Sequence, residues 1–174
     1  QVGYDTYCRL LDEVVKEIQG IEVKEEQDIQ IDIDVSSYIP DSFIDNNSQK
    51  IEIYQNIALC RTEEDIQNVI DEIIDRYGHM PSELENLIEI ARIKNLCRVA
   101  NVIKISQRKE KVVFYFDKAK FNPEIVDKLI KKYNTNIRFS TGIEPYVTVT
   151  IGSKIIEEIK EFLTYIQNCT TSSM

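Results

Sequence analysis

The sequence predicts an α+β fold, with a mostly helical N-terminal lobe followed by a lobe whose elements run ββα–ββα. Apolar residues recur at helical spacing through most of residues 1–100, apart from an alternating segment at 29–35. From residue 101 onward, two pairs of short alternating segments are each followed by an amphipathic helix. A chain of 174 residues with 43% hydrophobic content can bury a core as one domain with two lobes.

The N-terminal lobe is predicted to contain four helices and one or two strands. Apolar positions between Tyr4 and Ile18 indicate a first helix, which ends at Gly20. Residues 29–35 alternate isoleucine or valine with aspartate or glutamine, which is the pattern of a half-buried strand. We expect residues 36–48 to form an ordered loop held by apolar side chains.

Three further helices complete this lobe. Ser48 is a suitable N-cap for the second helix, and Thr62–Asp65 resembles a capping box at the start of the third, with Asp in place of the usual Glu or Gln. Gly78 is the expected C-terminal stop of that third helix. A fourth helix begins at Pro81 and runs to about Ala100; its apolar residues cover most of its circumference, which predicts the most buried helix of the set.

The C-terminal lobe, residues 101–168, is predicted to form a small antiparallel sheet with both of its helices on one face. A hairpin with a charged turn spans 102–116, and a second hairpin spans 136–151. Pro123 lies in the first turn of the helix between them, and Ser153 is a suitable cap for the last helix. The repeated ββα order indicates a weak internal duplication.

The ends of the chain and its cysteines bear on its class. Because the chain opens at Gln1 without an initiator Met, we expect a piece of a longer protein, and residues 169–174 are expected to form a flexible tail. No apolar run approaches the roughly 18–20 residues of a membrane span, and no signal peptide precedes the first helix. The chain has four scattered cysteines and no CxxC pair: Cys8, Cys60, Cys97 and Cys169. This pattern is typical of reduced thiols in a cytoplasmic protein, whereas a metal site would need clustered ligands.

The charge is unevenly distributed along the chain, whose net charge is −9. Residues 1–97 hold 8 Lys/Arg against 22 Asp/Glu, whereas residues 98–174 hold 13 against 8. Two explanations remain open at this stage. The acidic and the basic lobe can bind different partners, or the opposite charges of the two halves can attract each other within one compact unit.

Catalytic chemistry has little support in the sequence. The five glycines are isolated and no GxxxxGK segment exists, so the chain lacks the loop that cradles nucleotide phosphates. Asp71–Ile74 superficially resembles a helicase metal-binding box, but it lies within an amphipathic helix and not after an apolar strand. Asp32 and Asp34 could hold a divalent cation on one strand face, although a solvated face explains them more simply. His79 is expected in a surface turn without a nucleophile partner.

Two charged surfaces are candidates for binding. The basic residues within 104–138 could form a nucleic-acid-binding face: Lys104, Arg108, Lys109, Lys111, Lys118, Lys120, Lys128, Lys131, Lys132 and Arg138. Phe114 and Phe116 lie in the same stretch, but a place in the core explains them more simply. On the third helix, the acidic residues Asp71, Glu72 and Asp75 fall opposite the apolar stripe. They also lie near the helix C-terminus, where the macrodipole disfavours anions. These acidic residues can be interpreted either as a solvated face or as a docking surface for a basic partner.

Three segments share a pattern with one protein family. They are Gly3–Leu11, the segment Tyr38–Ile44 with sequence YIPDSFI, and the segment Glu72–Pro81 with sequence EIIDRYGHMP. These stretches resemble the C-terminal domain of the bacterial transcription-repair coupling factors. Tyr77 stands where the family has Phe, and the resemblance covers residues 3 to about 100.

The resemblance implies a parent protein that is an ATP-driven translocase on double-stranded DNA, with ATP and magnesium held in other domains. That parent displaces stalled RNA polymerase and recruits the excision-repair protein UvrA. The resemblance also implies that this chain is non-catalytic, carries no cofactor, and packs on a UvrB-like N-terminal module so as to hide its UvrA-binding surface.

By motif match, Glu72 and Asp75 take the acidic positions that face arginines of that module. We therefore predict an interdomain clasp with a closed and an open state, and Glu72 and Asp75 as its interface residues. The alternative is a DNA-contacting module that uses the basic C-terminal half.

Overall fold

The computed structural model of the chain describes residues 28–140 and 142–171. The predicted first helix, the Gly3–Leu11 segment, Cys8 and residues 172–174 lie outside the described residues. Within them the chain has five α-helices and a small five-stranded mixed sheet, which confirms the predicted α+β class. Two compact units are present, one that includes 35–92 and one that combines 29–34 with 93 onward.

The first unit is helical. Its elements are α1 (Asn47–Leu59), α2 (Glu63–Tyr77) and the first half of α3 (Ser82–Ala100). Their inward-facing aliphatic side chains form one core with the loop that precedes α1, as follows: Ile39, Ile44, Ile53, Ile57, Ile66, Ile73, Leu84, Leu87 and Ile88. At about 25 cal/mol per Å² of buried apolar area, this core is the main stabilising term of the unit.

The start of α1 differs from the prediction by two residues. Asn46 is the N-cap, and its side-chain oxygen accepts a hydrogen bond from the Gln49 N–H at 3.1 Å, while Ser48 lies within the helix. Asn and Ser are comparable N-caps, so local preference alone does not choose between Asn46 and Ser48.

The second unit is built on the sheet. Its strands are β1 (Gln30–Asp32), β2 (Val102–Arg108), β3 (Lys111–Phe116), β4 (Ile137–Ser140) and β5 (Tyr146–Thr150), in the spatial order β1-β2-β3-β5-β4. The helices α4 (Ile125–Tyr133) and α5 (Ile155–Thr171) follow the two hairpin strand pairs, so the predicted ββα–ββα order is observed.

One face of the sheet carries the core of this unit. A row of apolar residues crosses all five strands, namely Ile31, Ile105, Phe114, Val147 and Phe139. Phe162 of α5 packs on Phe114 with ring centroids 4.2 Å apart, and Tyr133 of α4 packs on Phe162 at 5.6 Å. Both helices therefore cover the same face, as predicted.

The edge strand β1 was not expected in this sheet. The sequence pattern places residues 29–35 with the helical lobe, whereas β1 pairs in parallel with β2, with Ile31 opposite Ile105. The other pairings are antiparallel, so the sheet is mixed and not wholly antiparallel. A strand's periodicity shows which of its faces is buried but not which strand it will join.

The last helix extends further than predicted. The expected tail began at residue 169, but α5 continues to Thr171 and Cys169 is buried. Cys169 continues the spacing of Phe162 and Ile166, so its thiol completes the apolar stripe of the helix. Among the described residues, no helix combines the length and apolar character that crossing a membrane requires.

Tyr77 provides a stability prediction within the helical core. Its ring packs 6.0 Å from that of Phe43, but its hydroxyl is buried without a hydrogen-bond partner among the described residues. Because an unsatisfied buried hydroxyl costs free energy, we expect Tyr77→Phe to raise the free energy of unfolding by about 1 kcal/mol. Urea denaturation measures this.

Tyr54→Phe is the matched control, since the Tyr54 hydroxyl accepts a hydrogen bond from the Ile39 N–H at 2.9 Å. Removing that acceptor should lower stability by about 1 kcal/mol. Equal losses in both variants would show that the Tyr77 hydroxyl has a partner in solution.

Candidate functional site

Helix α2 carries the predicted interface residues, and a reciprocal cap fixes its first turn. The Thr62 hydroxyl accepts from the Asp65 N–H at 3.1 Å, while the Asp65 carboxylate accepts from the N–H groups of Arg61 and Thr62 at 2.9 and 3.0 Å. These backbone N–H donors hold the pKa of Asp65 below its usual value. The predicted capping box is confirmed with Asp in the Glu position.

An ion pair joins the start of α2 to α3. The Arg92 guanidinium contacts the Glu63 carboxylate through two nitrogens, at 3.0 and 2.7 Å, and also binds Glu89. Arg92 and its partner Glu63 are 29 residues apart in sequence. The structure therefore assigns Arg92 a positioning role that no local pattern predicts.

Gly78 ends α2 in a conformation that other residues avoid. Its φ is 90° and ψ is −153°, and its N–H donates to the Ile74 carbonyl at 2.9 Å. This backbone region is almost restricted to glycine, which explains the Gly at this position. His79 follows in an exposed turn, as predicted.

The acidic face of α2, which we define as Asp71, Glu72 and Asp75, is exposed along its length. Ile73 is fully buried on the opposite side. The structure thus places both predicted interface residues, Glu72 and Asp75, on one accessible helix face. Asp71 accepts a hydrogen bond from the Gln67 amide at 2.9 Å.

Glu72 is already engaged within the chain. Arg76, one turn later, lies 3.3 Å from the Glu72 carboxylate and 3.2 Å from that of Glu52 on α1, and its guanidinium stacks 5.1 Å from the Tyr77 ring. One guanidinium therefore neutralises part of two acidic side chains. All three charged groups remain partly exposed, so solvent screens both pairs and each contributes little to stability.

Asp75 has a different environment. Among the described residues it forms no side-chain hydrogen bond or ion pair, and it lies in the last turn of α2, where unpaired carbonyls leave partial negative charge. The preceding residue, Ile74, is 48% exposed. An unpaired carboxylate beside an accessible apolar side chain is a local combination suited to contact with a basic, partly apolar surface.

A groove of about 340 Å³ opens between α1 and α2 beside Glu72. The carboxylates of Asp65 and Glu72 stand two helical turns apart along it, and Leu59 and Val69 supply apolar walls. Leu59 is 43% exposed. The sequence did not predict this groove, because it depends on how α1 and α2 pack together.

Metal binding has no support in the part of the chain that the structure describes. No group of three or more potential His, Cys, Asp or Glu ligands is present there. Asp32 and Asp34 are both exposed, and the Asp34 N–H donates to the Gln107 side chain at 2.7 Å. The described cysteines, Cys60, Cys97 and Cys169, are buried and form no disulfide, and burial raises the pKa of Cys60 to about 11, which disfavours the thiolate that a metal would require.

Comparison with known proteins finds matches to this chain. The model of the TRCF domain family matches residues 33–125, just over half of the chain. The transcription-repair-coupling factor of Bacillus subtilis (strain 168) is 37% identical over 112 residues, which cover 64% of this chain and 10% of that protein. That of Rickettsia prowazekii (strain Madrid E) is 28% identical over 170 residues, which cover 94% of this chain and 15% of that protein.

A solved structure agrees with these matches. The crystal structure of the C-terminal domain of transcription-repair coupling factor is similar with a TM-score of 0.68 and 23% identity, covering 81% of this chain and 94% of that one. At this identity the likeness shows the shared fold. The chain spans about a tenth of the length of the curated relatives that it matches.

Proposed function

This chain belongs to the TRCF domain family, and from that premise we propose that it is the non-catalytic regulatory domain of a cytoplasmic transcription-repair coupling factor. It docks through α2 on a UvrB-like module of the same protein and covers the UvrA-binding surface there. The parent acts on stalled RNA polymerase as an ATP-driven DNA translocase. The observation that carries the proposal is the exposed acidic face of α2, where Asp75 has no partner among the described residues.

The helix dipole supports a cationic partner for this face. A carboxylate in the last turn faces the negative end of the dipole, at a cost of about 0.3–1 kcal/mol when exposed. A cation bound at Asp75 would offset this cost as well as gain its own hydrogen bonds. The acidic face therefore favours a basic surface over a neutral one.

The groove beside Glu72 suits an arginine side chain. Its guanidinium would pair with the Glu72 carboxylate, while its methylene stem would lie along Leu59 and Val69. Glu72 already shares Arg76 with Glu52, so a second guanidinium there gains less than one at Asp75. We expect Asp75 to contribute more to docking than Glu72.

Apolar contact must accompany the ion pairs. Each exposed pair contributes about 0–1 kcal/mol, which is too little to hold two domains together. Ile74 and Leu59, both more than two-fifths exposed, flank the acidic residues and would be covered on docking. The clasp then closes through apolar area, and the acidic face sets its orientation and partner.

The test uses the full-length parent protein with Glu72→Ala and Asp75→Ala together. If the two residues hold the closed state, their loss should raise UvrA affinity up to about tenfold, because about 1.4 kcal/mol of closing free energy disappears. UvrA binding is measured by surface plasmon resonance. The single substitutions should rank with Asp75→Ala above Glu72→Ala.

Asp45→Ala with Glu85→Ala is the matched control. Both residues are exposed in the same helical unit, and the double substitution also removes two negative charges. We expect the control to leave UvrA affinity unchanged. UvrA affinity that is unchanged in the α2 variant, or raised equally in the control, would reject the assignment of Glu72 and Asp75.

A further inference from the structure

The two faces of the sheet differ in chemistry. Alternation along the strands sends Phe114, Val147 and Ile105 toward α4 and α5, and sends their neighbours to the opposite side. We call that opposite side the exposed sheet face and define it by six residues: Lys104, Arg108, Lys111, Tyr115, Arg138 and Tyr146. The proposed docking role of α2 does not use it.

The exposed sheet face is strongly cationic. Lys104, Arg108, Lys111 and Arg138 are all exposed, and none pairs with a carboxylate among the described residues. Asp32, on the edge strand β1, lies on this same face opposite Ser106 and is the only acidic residue within the strands that the structure describes. The face thus presents four cations from three adjoining or nearby strands within a chain whose net charge is −9.

Two tyrosines lie among these cations. Registered pairing places Lys104, Tyr115 and Tyr146 side by side on β2, β3 and β5. The tyrosine ring centroids are 5.6 Å apart, and the Lys104 ammonium lies 5.5 Å from the Tyr115 ring. Tyr146 is 37% exposed, so part of its ring is accessible.

We propose that the exposed sheet face binds single-stranded nucleic acid. The four cations would contact phosphates, and unpaired bases would stack on the tyrosines. A duplex keeps its bases stacked on one another and would use the cations alone. An acidic peptide would likewise leave the tyrosine rings without a stacking partner, so the aromatic pair favours a single strand.

The test is a fluorescence anisotropy titration of this chain against labelled oligo-dT and oligo-rU of about 12 nucleotides, a length within the usual range for such sites. At about 20 mM salt we expect saturable binding of at least one of them, weakening as salt rises with a log–log slope up to about −3 for four phosphates. The two oligomers distinguish DNA from RNA as the source of the ligand.

Substitutions separate stacking from charge. Tyr146→Ala should weaken binding roughly 5- to 100-fold, whereas Tyr146→Phe, which keeps the ring, should bind like the parent chain. Arg108→Ala with Arg138→Ala should weaken binding and reduce the salt slope by about 1.4. Lys118→Ala with Lys120→Ala, two exposed lysines outside the strands, is the charge-matched control and should change little.

Several outcomes would overturn the proposal. They are no binding at low salt, equal affinity for a duplex of the same length, and full competition by poly-glutamate at equal charge. Equal losses in the Arg108/Arg138 and Lys118/Lys120 variants would also reject it, because general charge would then explain the binding. A Tyr146→Ala variant that binds normally while remaining folded would exclude base stacking.

Discussion

Phe114→Ala is expected to lower the free energy of unfolding of the sheet unit by about 3–5 kcal/mol, the largest effect that we predict for any single truncation in it. Phe114 is 1% exposed in β3, which lies at the centre of the sheet, and its ring packs 4.2 Å from that of Phe162. Truncation removes buried apolar area and leaves a cavity that two neighbouring strands and α5 cannot close. Urea denaturation followed by circular dichroism measures the loss.

Val113→Ala is the control for this prediction. Val113 adjoins Phe114 on the same strand, but it points to the opposite face and is half-buried. Its truncation should cost about 1 kcal/mol. Comparable losses at the two positions would mean that the strand register places both side chains in a core, contrary to the pairing of Phe114 with Val147.

The local signals of this fold are largely present in the sequence. The capping box at Thr62 and the stop at Gly78 each depend on residues within four positions of one another, and the structure confirms both. The alternation of β3 and β5 also predicts which side chains face the core. Such features are accessible because their physical cause is local.

Features that depend on distant pairing were not predictable. The edge strand β1 pairs with β2, about 70 residues later, and periodicity contains no information about that partner. Arg92 and Glu63 form an ion pair for the same long-range reason. The N-cap at Asn46 is a different case, since Asn46 and Ser48 are both good caps and local preference does not choose between them.

The candidate site likewise has features that follow from local sequence and features that depend on tertiary packing. Helical periodicity alone places Glu72 and Asp75 on one exposed face, because three positions span about one turn. It does not show that Arg76 bridges Glu72 to Glu52 on another helix, nor that a groove opens beside Glu72. The unequal roles that we propose for Glu72 and Asp75 therefore depend on tertiary packing, while their shared face does not.

The acidic face of α2 is exposed because the opposite side of the helix is buried in the core. Truncation of Ile73 measures how strongly that buried side is stabilised. Ile73 is 0% exposed in the helical core, directly after Glu72. We expect Ile73→Ala to lower the free energy of unfolding by about 2–5 kcal/mol, through lost burial and the cavity that remains. Thermal and urea denaturation of the chain measure this loss.

Ile74→Ala is a control of identical chemistry one residue away. Because Ile74 is 48% exposed, its truncation should change stability by about 0.5 kcal/mol or less. In the full-length protein, however, Ile74→Ala removes apolar area from the proposed docking surface and should raise UvrA affinity, as we also expect for Asp75→Ala. If Ile73→Ala and Ile74→Ala instead destabilise the chain equally, α2 is rotated from the orientation described, and Glu72 and Asp75 do not share an exposed face.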